Sequence, residues 1–562
     1  MTRLLRTTVL TMTLLCSPLA LSAAFAESPD LILRNGEVIT MDPANPQAQA
    51  LAISGERIVA VGSNQDIDAL AAKDTRVVDL AGKTVIPGLI DTHMHAIRAA
   101  QTFDGETLWL GVSSLQDGLD VIRREAARRG PGAWIAVVGG WHPRQFVENR
   151  MPTIKELNDA APNNPVYVQY LYDEAFLNAK AVEALGITSE TKFQPGGYPE
   201  LDAQGKPTGV LRGNIPAFSG LSNRILAAEP AQRLESSRRF FSELNGLGIT
   251  SVIDAGGGGM TPPQYDTIFQ LWQQGGMSVR VAYRISAPTP DNEAASFKDV
   301  LGYMPPSFGD TMLRFAGLGE VLVWKMHDGE QIGPGFKSSD AARGELLEVL
   351  QLAAARGYQV EIHAFSNDAG GQILDIVEKV NAQTPIESLR WTVTHLTDGT
   401  EQTFSRMKAM GMSYTVQDNM FLRGQDVAGK LGDEAAEILP PIRKAMDLGL
   451  VVAGGSDATR VSSYNPMIGL QWLVDGRSVG GSPQRIASDR LTREEALALY
   501  TRNAAWVMRR ENELGTLATG RIADLAVLDK PYMTMPVEDI HSIRSVLTLL
   551  GGKVVHDAAA TR

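Results

Sequence analysis

The strongest constraint on this chain is a recurring arrangement in which short apolar runs, each long enough for one strand, end on histidine or aspartate. "TVIPGLIDTHMH" ends on His93 and His95, "YQVEIHA" on His363, "RWTVTHL" on His395, and "LVVAGGSDA" on Asp457. Helical periodicity separates such runs, clearest in "ARGELLEVLQLAAARG" and "EQTFSRMKAMG". Alternating strands and helices build a parallel sheet. The runs "TVIPGLIDTH", "ITSVIDAG", "VRVAYRI", "EVLVWKM", "YQVEIHA", "RWTVTHL", "MSYTVQ" and "LVVAGGSDA" provide enough strands for a (β/α)8 TIM-type barrel. Strand C-terminal ends converge on one mouth of such a barrel, so residues scattered along the chain meet there.

Two β-rich stretches flank this region. "LILRNGEVITM", "ALAISGERIVAVG" and "TRVVDLAGKTVIPG" precede it, and "GTLATGRIADLAVLDK" and "SVLTLLGGKVVHD" follow. Their alternating aliphatics and Asn-Gly or Ser-Gly turns read as hairpins. Neither stretch closes a core alone, so one small β-sandwich assembled from both termini is expected. The expected organisation is a leader at 1–26, sandwich segments at 27–86 and 509–562, and a barrel at 87–508. An insertion at about 101–247 interrupts the barrel, because that stretch fits single strand-helix units poorly.

The leader reads as a secretory signal peptide. Arg3 and Arg6 form a basic start, an apolar small-residue run follows, and Ala24-Phe25-Ala26 places cleavage before Glu27. Cys16 is the only cysteine, so the mature chain would carry no disulfide framework. The expected location is secreted or periplasmic, with no membrane attachment after cleavage. A net charge of -12 argues against nucleic acid and anionic membranes as partners and leaves a small-molecule substrate. A homo-oligomer is compatible with the sequence.

The chain holds 8 histidines, and four of them fall at the strand ends named above. The two-residue spacing of His93 and His95 puts both imidazoles on one side of an extended chain, where they can share a cation. One histidine after a strand carries little weight. Five such residues at four strand ends form a metal-site pattern.

These motifs, with "VEIHAFSNDAGGQILDIVE", "VVAGGSDATRVSSYNPM" and "LTREEALALYTRNAAWVM…GTLATGRIADLAVLD…GGKVVHD", resemble the amidohydrolase superfamily. Within it they are similar to amidohydrolase family 3, the YtcJ-like branch, from about Leu31 to Asp557. The resemblance implies a distorted barrel with a composite β-sandwich. It implies that His93 and His95 hold the more buried metal, that His363 and His395 hold a second or contact substrate, and that Asp457 is both ligand and proton shuttle. One or two divalent ions are implied, with zinc the first choice and iron or manganese as alternatives.

Many relatives bridge two metals with a carboxylated lysine after the fourth strand. Lys325 is the expected counterpart, one residue out of register relative to Asp328-Gly329, with Glu320 as the alternative. His327 is a further ligand or pocket residue. "VVGGWHPRQF" makes Trp141 and His142 pocket candidates, and "PVYVQYLYDEAFLNAKAV" adds Asp173, where relatives usually carry histidine. Gly213 stands where a glutamate is common. The run Gly256 to Gly259 lacks the residues of a phosphate loop and reads as a strand-end loop. His541 and His556 lie in the terminal β region and receive no role.

The expected activity is hydrolysis of an amide or related C–N bond by metal-activated hydroxide, with Asp457 as acid/base. The alternatives are an ester or lactone hydrolase, a non-hydrolytic isomerase or eliminase on the same site, and a non-catalytic exported binding protein.

Overall fold

The computed structural model describes residues 28–193, 196–257, 260–287 and 290–560. The expected signal peptide and Cys16 lie outside them. Among the described residues, no helix is long and apolar enough to cross a membrane.

Eight parallel strands form a nearly closed barrel: β1 (Leu89–Met94), β2 (Ile249–Asp254), β3 (Arg280–Ile285), β4 (Leu313–Leu318), β5 (Gln359–Ala364), β6 (Thr392–His395), β7 (Ser413–Gln417) and β8 (Val451–Gly455). At the seam between β8 and β1, the Thr92 hydroxyl donates to the Gly454 carbonyl at 2.8 Å, and Asp457 N–H donates to the His93 carbonyl at 2.7 Å. Glycine is required there, because a Cβ on Gly455 would stand 2.6 Å from the His93 nitrogen. Most barrel strands are buried throughout, which explains why they read as continuous aliphatic runs rather than alternating ones.

The fourth strand departs from the sequence expectation. "EVLVWKM" is apolar enough for a strand, but β4 lies earlier, in "LRFAGL". After β4 the chain leaves the sheet, buries Val321, Leu322 and Val323 against the barrel, and forms a short helical turn at Trp324–Met326. Apolar packing beneath a loop imitates a strand when only hydrophobicity is read.

Strands from both ends of the chain share one sheet, in which Leu525–Leu528 pairs antiparallel with Thr84–Pro87. A second sheet contains Leu31–Arg34, Ala50–Ser54, Arg57–Gly62 and Arg76–Asp79, and Leu33, Leu51, Val85, Leu525 and Leu549 are buried in a common core. Arg280 of β3 donates from Nε to Asp524 Oδ2 at 2.7 Å, tying the barrel to this layer through a pair that is almost wholly buried.

Between β1 and β2 the chain builds a five-stranded sheet from Ile135–Val137, Val166–Tyr170, Glu174–Leu177, Tyr198–Leu201 and Pro207–Arg212. It has its own core around Trp109, Trp141 and Phe146.

Candidate metal centre

His93, His95, His363, His395 and Asp457 all lie at or just beyond the C-terminal ends of barrel strands, and all are buried. Glu320, two residues past β4, stands among them and is 8% exposed. Its Oε1 lies 3.4 Å from His95 Nε2, and its Oε2 lies 3.6 Å from His93 Nε2, 3.2 Å from His363 Nδ1 and 3.3 Å from His395 Nε2. Asp457 Oδ1 lies 3.6 Å from His93 Nε2 and 3.3 Å from His95 Nε2.

Three overlapping groups have the spacing to hold an ion: His93, His95 and Glu320; His93, His395 and Asp457; Glu320, His363 and His395. Two ligands bound tetrahedrally at about 2.1 Å are separated by about 3.4 Å, so the distances above are those expected between atoms of one coordination shell. His93 Nε2 and His395 Nδ1 are buried and have no hydrogen-bond partner among the described residues. Orphaned imidazole nitrogens facing two carboxylates fit a divalent cation.

The outer atoms of the histidines are fixed by the fold. His93 Nδ1 donates to Glu361 Oε1 at 2.7 Å, and Arg284 Nη1 lies 2.6 Å from Glu361 Oε2. His95 Nδ1 donates to the Gly256 carbonyl. His363 Nε2 donates to the Gly329 carbonyl at 2.6 Å and lies 3.2 Å from Asp328 Oδ1. Such partners set the tautomer and aim the remaining nitrogen inward. Asp328 is itself held by Ser366 N–H at 2.8 Å and by the Ser366 hydroxyl at 2.7 Å.

The electrostatics of the site call for positive charge. Burial works to raise Glu320 and Asp457, but the facing imidazoles hold both well below the usual carboxylate range. Burial works to lower His363, yet Asp328 and Glu320 push it up to about 10. His327 stacks on it at 3.7 Å and is pushed down to about 3 by burial and by His363. His395 and Asp457 have left-handed backbones, with φ of 73° and 62°. Non-glycine residues adopt this conformation at a cost that sites of function commonly carry.

Several residues expected in the site lie elsewhere. Lys325 is corrected: it sits on the outward face of the Trp324–Met326 turn, is exposed, and pairs with Asp291. Glu320 stands among the imidazoles instead, because the chain turns out of the barrel immediately after it. Trp141 is a core residue of the inserted sheet, donating from Nε1 to the Gln169 carbonyl at 2.8 Å and packing on Trp109 and Phe146. His142 is buried beside Tyr170, away from the cavity wall, and burial pushes it down to about 4. Asp173 is exposed, and the neighbouring Tyr172 lines the cavity in its place. His327 does line the cavity.

The sequence reading missed Glu361, Gly256, Asp328 and Arg460. Glu361 carried a usable signal, since an acidic residue inside "QVEIHA" requires a partner when its strand is wholly buried. Gly256 acts through its carbonyl, which no side-chain pattern reveals. His541 accepts no place here: it is exposed and bonded to Gln471 at 2.9 Å, and His556 lies at 3.1 Å from the Ser545 carbonyl.

Residues 76–556 match the amidohydrolase family. The chain belongs to that family. Among curated relatives of this amidohydrolase is the N-substituted formamide deformylase of Arthrobacter pascens, 27% identical over 547 residues and covering 93% of this chain and 97% of the relative. Protein LONG AFTER FAR-RED 3 of Arabidopsis thaliana is 26% identical over 541 residues, with coverage of 94% and 91%. A metal-dependent hydrolase of Pyrococcus furiosus, uncharacterized in its description, shares the fold with a TM-score of 0.65 at 20% identity, over 90% of this chain and 100% of that one.

Proposed function

We propose that this amidohydrolase is exported and hydrolyses an amide or related C–N bond, other than a peptide bond, in a small molecule. The observation that carries this reading is the buried set of four imidazoles with Glu320 and Asp457 at the barrel mouth. His93, His95 and Glu320 would hold one divalent ion, and Glu320 with His363 and His395 could hold another, with zinc the first choice for such donors. When bound, a divalent ion supplies Lewis acidity toward a carbonyl and lowers the pKa of water.

The chain's own residues supply the proton traffic and the orientation. Asp457 stays ionised in this environment and can accept a proton at one carboxylate oxygen. Its Oδ2 accepts from Asn419 Nδ2 at 3.3 Å, which orients the carboxylate toward His93 and His95. The same group then delivers the proton to the departing nitrogen. Trp324, Phe365, Val321 and Val461 line the cavity and limit access of bulk water. The deformylase relative supports the choice of a C–N bond.

The test is a panel of small amides, formamides and esters assayed with zinc-loaded protein, wild type and Asp457→Asn. Turnover of amides by wild type, and its loss of about 100-fold or more in the variant with metal retained, is expected. Hydrolysis of esters alone, or full activity of the variant, refutes the reading. Export is checked by mass spectrometry of the mature protein, which should begin at Glu27.

A further inference from the structure

Two arginines, Arg98 and Arg460, line the cavity that opens on the candidate metal centre, and neither has a carboxylate within ion-pair distance among the described residues. Arg98 lies on α1 (Ala96–Thr102), one turn beyond His95. Arg460 lies three residues after Asp457 and is 2% exposed. Arg98 lies in the first turn of α1 and lines the same cavity as His95, Glu320, His363, His395 and Asp457.

A buried arginine ordinarily has its donors satisfied or its charge compensated. Arg460 does not: Nη1 donates to the Ser222 hydroxyl on α2 (Ile215–Ile225) at 2.5 Å, while Nε and Nη2 are buried without a partner among the described residues. Arg98 likewise has Nε and Nη2 buried and unpartnered. Other buried arginines with orphaned donors have compensation that these two lack. Arg284 faces Glu361 at 2.6 Å, and Arg485 stacks on the Trp472 ring at 4.3 Å.

The remaining charges of the cavity are already engaged. Glu330 accepts from Arg423 at 2.6 Å, and Glu320 and Asp457 face the histidines. Glu106, held by the Thr102 hydroxyl at 2.6 Å, is the carboxylate that acts on both guanidiniums, from beyond ion-pair distance. Burial, together with the proximity of Arg98, lowers the affinity of Arg460 for its proton, a penalty that an anion between them would remove.

The backbone is built to hold Arg460 in place. Gly140 N–H donates to the Arg460 carbonyl at 3.2 Å, and a Cβ on Gly139 would stand 1.9 Å from that oxygen. The Gly-Gly of "VVGGWHP" thus acts as a close-fitting seat for Arg460 rather than as a cavity wall.

From this geometry we infer that Arg98 and Arg460 bind a carboxylate of the substrate, close to the scissile bond. The substrate class is an N-acyl amino acid, including N-formyl amino acids. This rests on the amidohydrolase reading above and narrows it. The guanidinium forks match a carboxylate in shape and charge, and the apolar walls Ile215, Trp324 and Phe365 suit an aliphatic or aromatic side chain. In the reaction, water oxygen bonds to the acyl carbon, the C–N bond breaks, and a proton passes to nitrogen. The products are a carboxylic acid and the free amino acid.

The test compares N-formyl derivatives of glycine, leucine and phenylalanine, both enantiomers where they exist, with N-formyl amines that lack only the carboxylate. The zinc-loaded wild type should favour at least one acid over its neutral partner by about 100-fold in kcat/KM. Arg98→Met and Arg460→Met should each reduce that ratio by at least about 10-fold. Calorimetric binding of the N-methylsulfonyl amino acids, which are not hydrolysed, should weaken about as much. Equal kcat/KM for acids and neutral partners, or undiminished binding of the sulfonamides by both variants, overturns the inference. If no amide is turned over, the amidohydrolase reading fails on its own, and the binding measurements still decide the arginine site. If Arg460→Met does not fold, the part-exposed Arg98 carries the comparison.

Discussion

Replacing Glu320 by glutamine should strip metal from the centre, whereas replacing Lys325 should not. Glu320 presents its two oxygens to four imidazole nitrogens at 3.2, 3.3, 3.4 and 3.6 Å, so both triads that contain it lose an anionic ligand together. Substitutions one layer outside a metal typically cost about 10–100-fold in affinity. Removing a direct, charged ligand should therefore cost at least about 100-fold, or about 2.7 kcal/mol at 1.36 kcal/mol per tenfold. Glutamine keeps the volume and one acceptor oxygen, so the change is the lost charge and one oxygen replaced by an NH2 donor. The assay is metal per chain by mass spectrometry after dialysis against a graded series of chelator concentrations. The chelator midpoint should fall by about two orders of magnitude for Glu320→Gln. Lys325→Met should match wild type, because that ammonium is exposed and engages only Asp291. Loss of metal in the lysine variant with retention in the glutamine variant would refute the choice of Glu320 over Lys325 as the residue that would hold metal.

Asp524→Asn leaves the Arg280 guanidinium buried opposite a neutral amide and should lower stability to denaturant by about 3–5 kcal/mol; a change within about 0.5 kcal/mol would contradict the role given to this pair. Gly139→Ala should cut activity and disturb the loop carrying Arg460, since its Cβ would overlap the Arg460 carbonyl, and unchanged turnover of the best substrate would count against that seat. Glu495 caps its helix through Thr492 and accepts from Arg443, which holds it down to about 2. Its folded value is depressed, so its contribution is complete above its ordinary value of 4.5 and fades as pH falls toward about 2. The difference in thermal midpoint between wild type and Glu495→Gln should narrow over that interval, and a constant difference would exclude the linkage.

Much of the architecture is legible in one dimension because buried parallel strands must be aliphatic on both faces. The runs "ITSVIDAG", "YQVEIHA", "RWTVTHL", "MSYTVQ" and "LVVAGGSDA" all contain barrel strands, and their histidines and Asp457 stand at their C-terminal ends. Hydrophobicity failed at "EVLVWKM", where the same composition covers the barrel from a loop. That single shift leaves Lys325 exposed beside Asp291 and puts the Glu320 carboxylate among the histidines.

The sequence by itself determined which side chains could bind a metal and that strand ends would gather them, since residue chemistry and strand length are local properties. Only the tertiary structure decided which acid completes the centre, which carbonyls and carboxylates orient the imidazoles, and that Arg98 and Arg460 face one cavity. These depend on contacts across 161 residues between His95 and Gly256 and 268 between His93 and Glu361. No local pattern encodes such distances, because closing the barrel is what brings the partners within reach.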